Sequence, residues 1–138
     1  MTEFLINWDV LIVENDPVSN SILKRKIQEI LPFAKIKQCR DRECVREHLG
    51  TTNVILDCVF LDHHTSELIR NEILLLEKKP IMVSVSGGRV NRNLQYDLIW
   101  SKPFPPLDQM RKDLGRVLKN HTHDSSRSDS SRVVHPDH

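Results

Sequence analysis

Glu14 and Asn15, Asp62, Ser86 and Lys102 stand directly after VLIV, CVFL, IMVSV and LIWS respectively. These residue types suit phosphate chemistry. Carboxylates hold hard divalent cations and attack phosphorus, while a hydroxyl and an ammonium stabilise the oxygens of a transferring group. A single strand-terminal Asp, Ser or Lys marks only the point where a chain meets water. Several in succession, each after an apolar run, form a pattern that contact with water alone does not explain.

The elements that must position them are legible as alternating apolar runs and amphipathic stretches. Val10-Leu11-Ile12-Val13 is a continuous apolar run of the kind buried on both sheet faces. Asp16 and Pro17 then read as the N-cap and first residue of a helix presenting Val18, Ile22, Leu23, Ile27, Ile30 and Leu31. Ala34 to Cys39 is a weaker strand, followed by a short helix capped by Asp41. Cys58 to Leu61 is the next strand, with a helix predicted over Glu67 to Glu77. Ile81 to Val85 and Leu98 to Trp100 complete the strands, and Leu107 to Lys119 forms the last helix. Such alternation predicts an α/β fold, a parallel sheet with right-handed crossovers and helices on both faces. Functional groups in such sheets gather at the carboxyl ends of the strands.

The chain has 138 residues, of which 38% are hydrophobic, enough for one domain with a packed core. Its formal net charge of +1 gives no reason to invoke nucleic acid as a partner. Met1 to Trp8 lacks the pattern of a secretory signal, and no run reaches the ~20 apolar residues of a membrane span. The expectation is an intracellular, cytoplasmic protein with reduced cysteines, Cys44 and Cys58 serving as small core residues. Cys39, Cys44 and His48 lack a sensibly spaced fourth ligand for a metal site. The expected boundaries are an N-terminal extension over 1–8, a domain over 9–119 and a disordered polar tail over 120–138.

The stretches VLIVENDPVSN, VFLD, PIMVSVSG and SKP, in that order, resemble the response-regulator receiver domain of histidine-aspartate phosphorelays. The likeness spans about Asp9 to Lys119. It implies a flavodoxin-like (βα)5 three-layer sandwich around a five-stranded parallel sheet. It also implies that Asp62 is the phosphoacceptor, taking phosphoryl from a phosphohistidine on a histidine kinase or histidine-containing phosphotransfer protein. Magnesium would be held by Glu14, Asn15, Asp62 and the backbone carbonyl of His64, with Lys102 and Ser86 on the phosphoryl oxygens. The Lys102–Pro103 bond would be cis, and the first helix, through Val18, Ser19 and Ile22, would meet the partner. Ser86 is preferred to Ser84 because it ends the strand before Gly87.

The chain also departs from the family pattern. Asn15 stands where an Asp normally binds metal, and loses one negative charge from the site. Asp16 can substitute only if the loop shifts, and its capping role competes. His63-His64-Thr65-Ser66 replaces the usual loop, and Ile99 stands where the family often has a switching aromatic, with Trp100 facing the other way. The span from Ser86 to Lys102 is shorter by about a turn or two of helix, so the fourth helix, suggested by Arg89 to Tyr96, is expected to be short or missing.

A pseudo-receiver that keeps the fold as a protein-binding module is the alternative reading. No GxGxxG or GxxxxGK[ST] follows Val13, which argues against a nucleotide or flavin enzyme. A stand-alone metabolic enzyme is not expected, and no DNA-binding effector is visible.

Overall fold

A computed structural model describes residues 6–51, 55–87 and 95–124. In chain order the elements are β1 (Asp9–Val13), α1 (Pro17–Ile30), β2 (Lys35–Cys39), α2 (Arg42–Thr51), β3 (Cys58–Leu61), α3 (His63–Leu74), β4 (Ile81–Ser86), β5 (Leu98–Ser101) and α4 (Leu107–Asp124). All strand pairs are parallel and the sheet order is β2-β1-β3-β4-β5. The order reverses between β1 and β3, so the carboxyl ends of these two strands flank the switch point where α/β folds place their ligands.

Alternation along the buried strands feeds two cores. Val10, Ile12, Phe60, Val83 and Trp100 pack with Leu23 and Ile27 of α1 and Met110 and Leu114 of α4. Leu11, Val13, Val59 and Leu61 pack on the opposite face with Val45 of α2 and Ile69 and Ile73 of α3. The successive side chains of a strand point to opposite faces, so one apolar run supplies both layers. Trp100 stacks on Phe60 at 5.9 Å between centroids, and its indole N–H donates to Asp113 of α4 at 2.9 Å. Ile99 faces outward and is exposed.

The structure moves several boundaries. Ile6 and Trp8 are buried members of the α1/α4 core, so they are part of the folded unit rather than of an extension. The last helix runs to Asp124, five residues beyond the expected end at Lys119. The rest of the expected tail, 125–138, lies outside the described residues, as does most of the Arg89 to Tyr96 stretch read as a stunted helix.

Both ends of α3 move, since it begins at His63 instead of Glu67 and ends at Leu74 instead of Glu77. Asp62 is its N-cap in extended conformation. With no Gly or Pro in His63-His64-Thr65-Ser66 to hold a loop open, the cap captures these residues as the first helical turn.

The reading of all cysteines as reduced is also corrected. Cys39 and Cys44 form a disulfide, while Cys58 is free and buried. β2 ends at Cys39, and Asp41 caps the next helix by accepting from the Cys44 N–H at 2.9 Å. The first turn of α2 thereby folds back over the strand end and brings the two Cα atoms to 5.5 Å.

Candidate functional site at the carboxyl edge of the sheet

β1 delivers Glu14 and β3 delivers Asp62 to adjacent positions, because the two strands pair in register up to Val13 and Leu61. The Asp62 N–H donates to the Val13 carbonyl at 3.3 Å, extending the ladder by one bond beyond the strands. Both carboxyls are buried, Glu14 to 1% and Asp62 to 6% exposure. Burial first, and then the neighbouring Asp62 carboxyl, push the pKa of Glu14 above the usual carboxylate range, against the pull of Lys102.

Lys102 reaches Glu14 with Nζ–Oε1 at 2.7 Å. It stands just past β5, in the cis Lys102–Pro103 peptide that the resemblance implies, and its N–H donates to the Ser86 carbonyl at 3.0 Å. β4 thus places Ser86 beside β5 at the same edge, opposite Ser101. Ser84 lies one step deeper on the same face, and its buried hydroxyl has no hydrogen-bond partner among the described residues.

A buried asparagine braces this corner. Asn20 of α1 donates through Nδ2 to the carbonyls of Glu14 at 3.0 Å and Cys39 at 3.1 Å, and Oδ1 accepts from Gln38 at 2.7 Å. The Glu14 N–H also donates to the Cys39 carbonyl at 3.1 Å, so the β2 end, its disulfide and Glu14 share one hydrogen-bonded network.

Asp62 is held more tightly than its residue type alone suggests. Its Oδ1 accepts from the Thr65 N–H at 2.7 Å and from the Thr65 hydroxyl. That hydroxyl also lies 2.9 Å from the Val13 carbonyl. Sequence reasoning missed Asn20 and Thr65. The spacing Asp62-x-x-Thr65 carried a signal for the second, since an N-cap side chain bonds the amide three residues on.

The structure brings Glu14, Asp62, Ser86 and Lys102 to one edge of the sheet. Among the described residues no group of three or more His, Cys, Asp or Glu side chains is placed to hold a metal. Asn15 is exposed at the rim, and Asp16 is engaged as the α1 cap, accepting from the Ser19 N–H at 2.9 Å. His64, whose carbonyl the resemblance implies as a ligand, stands in the first turn of α3, two residues past the Asp62 cap. Two adjacent carboxylates with an amide at the rim still fit a hydrated divalent ion, which takes one or two carboxylates and fills its other positions with water and phosphate oxygens.

The expected docking residues stand in the first two turns of α1, which starts just after Glu14 and Asn15. Val18 and Ile22 are exposed to 63% and 38%, and Ser19 is half-buried beside the Asp16 cap. Ile22 lines a groove of about 400 Å³ with Arg25, Lys26, Glu29 and Leu107.

Solved structures with the same fold are numerous. This chain has the fold of response-regulator receiver domains. A signal receiver domain of an HD domain-containing protein from Pseudomonas fluorescens Pf-5 superposes with a TM-score of 0.69 at 16% identity, covering 88% of this chain and 93% of that one. The signal receiver domain of a DNA-binding response regulator from Colwellia psychrerythraea 34H gives a TM-score of 0.64 at 19% identity, covering 82% and 99%. A CheY-like receiver domain from Methylobacillus flagellatus gives 0.62 at 18% identity, covering 80% and 98%. No family model matches the sequence, and no curated protein does. Among the described residues no helix is long and apolar enough to cross a membrane.

Proposed function

We propose that this chain is a phosphoacceptor receiver domain, in which Asp62 takes a phosphoryl group from a phosphohistidine on a histidine kinase or histidine-containing phosphotransfer protein. The observation that carries this reading is the meeting of the Glu14 and Asp62 carboxyls with Lys102 and Ser86 at the switch-point edge. An Asp62 carboxylate oxygen attacks phosphorus, the phosphorus–nitrogen bond of the donor breaks, and the imidazole leaves with a proton from solvent. Lys102 stands close enough to transfer its charge from Glu14 to the arriving phosphoryl oxygens, with the Ser86 hydroxyl as a neutral donor. Magnesium bound by Glu14, Asp62 and the Asn15 amide would supply positive charge to the phosphoryl oxygens. The exposed Val18 and Ile22, beside the site, offer apolar surface to the partner.

The second reading, a pseudo-receiver that binds proteins without phosphotransfer, is favoured by one specific observation: Asp62 is engaged as the cap of α3. Incubation of the full chain with acetyl phosphate and magnesium chloride, followed by intact-mass spectrometry, separates the two. Labelling that disappears in Asp62→Ala supports the phosphoacceptor. An unlabelled wild-type chain supports the pseudo-receiver.

A further inference from the structure

The Thr65 hydroxyl has one proton and two close acceptors. One is Asp62 Oδ1 and the other is the Val13 carbonyl at 2.9 Å. The same Oδ1 already accepts the Thr65 amide at 2.7 Å. Thr65 is 1% exposed, so water does not compete for these bonds, and its β-branched side chain has few rotamers to choose from. A carboxylate oxygen holding two such donors has its lone pairs engaged and is correspondingly weak as a nucleophile.

We propose that Thr65 is a positioning residue that latches Asp62, holding the carboxylate against α3 and setting the rate at which it is phosphorylated. The proposal rests on the phosphoacceptor reading of Asp62. The latch has two positions because the hydroxyl has two acceptors. In the free chain its proton lies on Asp62 Oδ1. When an Asp62 oxygen becomes bonded to phosphorus, with acetate or imidazole leaving, the carboxyl loses its negative charge and becomes a poorer acceptor. The hydroxyl then turns to the Val13 carbonyl, which needs no movement of the backbone. The state of Asp62 is thereby registered at the last residue of β1, next to Glu14.

The test measures the labelling rate of the full chain by acetyl phosphate with magnesium chloride, using intact mass, for wild type, Thr65→Val, Thr65→Ala and Thr65→Ser. Valine keeps the shape and the amide but removes the hydroxyl, so the initial rate is expected to rise about tenfold, the scale of one hydrogen bond to a charged group. Alanine should act in the same direction, and serine, which restores the hydroxyl, should return the rate to that of wild type. A merely structural threonine would not produce this rescue. Labelling of wild type, Val and Ala at equal rates overturns the latch and leaves the phosphoacceptor reading standing. Labelling of none of the four overturns both. Labelling of Val and Ala but not of wild type supports both. Failure of Val and Ala to fold, judged by circular dichroism, makes the hydroxyl structural and overturns the latch.

Discussion

The two edges of the sheet both bury aspartate, and they use it differently. At the amino edge, Asp57 is 7% exposed and its Oδ2 accepts from the Asp9 N–H at 2.8 Å, while Asp97 Oδ2 accepts from the Met82 N–H at 2.8 Å. These carboxylates finish the backbone hydrogen bonding where strands begin. At the carboxyl edge, Glu14 and Asp62 lie against one another, Glu14 pairs with Lys102, and the Glu14 carbonyl and Asp62 carboxyl draw donors from α1 and α3. Burial of an acid is therefore no mark of function by itself. What distinguishes the carboxyl edge is that two acids are brought together, and the Asp62 carboxyl, after burial, disfavours ionisation of Glu14.

The largest way to break the comparison is to remove the lysine. In Lys102→Met, Glu14 loses its counter-charge, and a loss of about 2–3 kcal/mol is expected, below the 3–5 of a fully buried pair because the lysine keeps 26% exposure. Urea unfolding at neutral pH measures it, and an unchanged midpoint would show that the carboxyl pair carries no net charge. The matching change at the other edge is Asp57→Ala. It removes the carboxylate that accepts from the Asp9 N–H and is expected to cost about 1–3 kcal/mol in the same assay. Because Asp57 is remote from the site, acetyl phosphate labelling of the folded variant should stay at the wild-type rate, and a fall would erase the distinction between the edges.

The smallest effect is in pH dependence, and its sign differs between two glutamates. Glu14 has a raised pKa, so above the ordinary carboxylate range the folded chain still holds a proton that the unfolded chain has released. Its contribution to stability therefore falls as pH rises through that window. Glu72 is pushed up by burial but more strongly down by its bonds to Arg46 and Arg42, at 2.7 and 3.4 Å. Its contribution is present above the ordinary range and is lost as pH falls through its depressed value. Thermal midpoints between pH 3 and 8 check both, a range set by about the span of carboxylate and histidine titration. Glu14→Gln should flatten the decline toward neutral pH, and Glu72→Gln should flatten the acid limb. The same slopes in variants and wild type would contradict the assignment.

Much of this architecture was legible in the residues. Val10 to Val13 and Cys58 to Leu61 are so continuously apolar that only a strand buried on both faces accommodates them, and the first polar residue after each had to emerge at the sheet edge. The α3 boundary was not legible, because the apolar periodicity from Leu68 onward says which face is buried and nothing about where the helix starts. That was decided by a cap whose acceptor is the residue of greatest chemical interest. Trp8 was missed for a related reason: a lone aromatic before a strand has no period, and its burial depends on α1 and α4 closing over it.

Sequence alone determined the order of strands and helices, the parallel sheet they imply, and the arrival of Glu14, Asp62, Ser86 and Lys102 at one edge, because period and strand-end position are local properties of the chain. Tertiary structure decided which of these groups touch. It set Lys102 on Glu14, closed Cys39 onto Cys44, placed Asn20 under two carbonyls and tied Asp62 to Thr65. Such pairings depend on sub-ångström placement of side chains from elements far apart in sequence, and hydrophobic patterning carries no information at that scale.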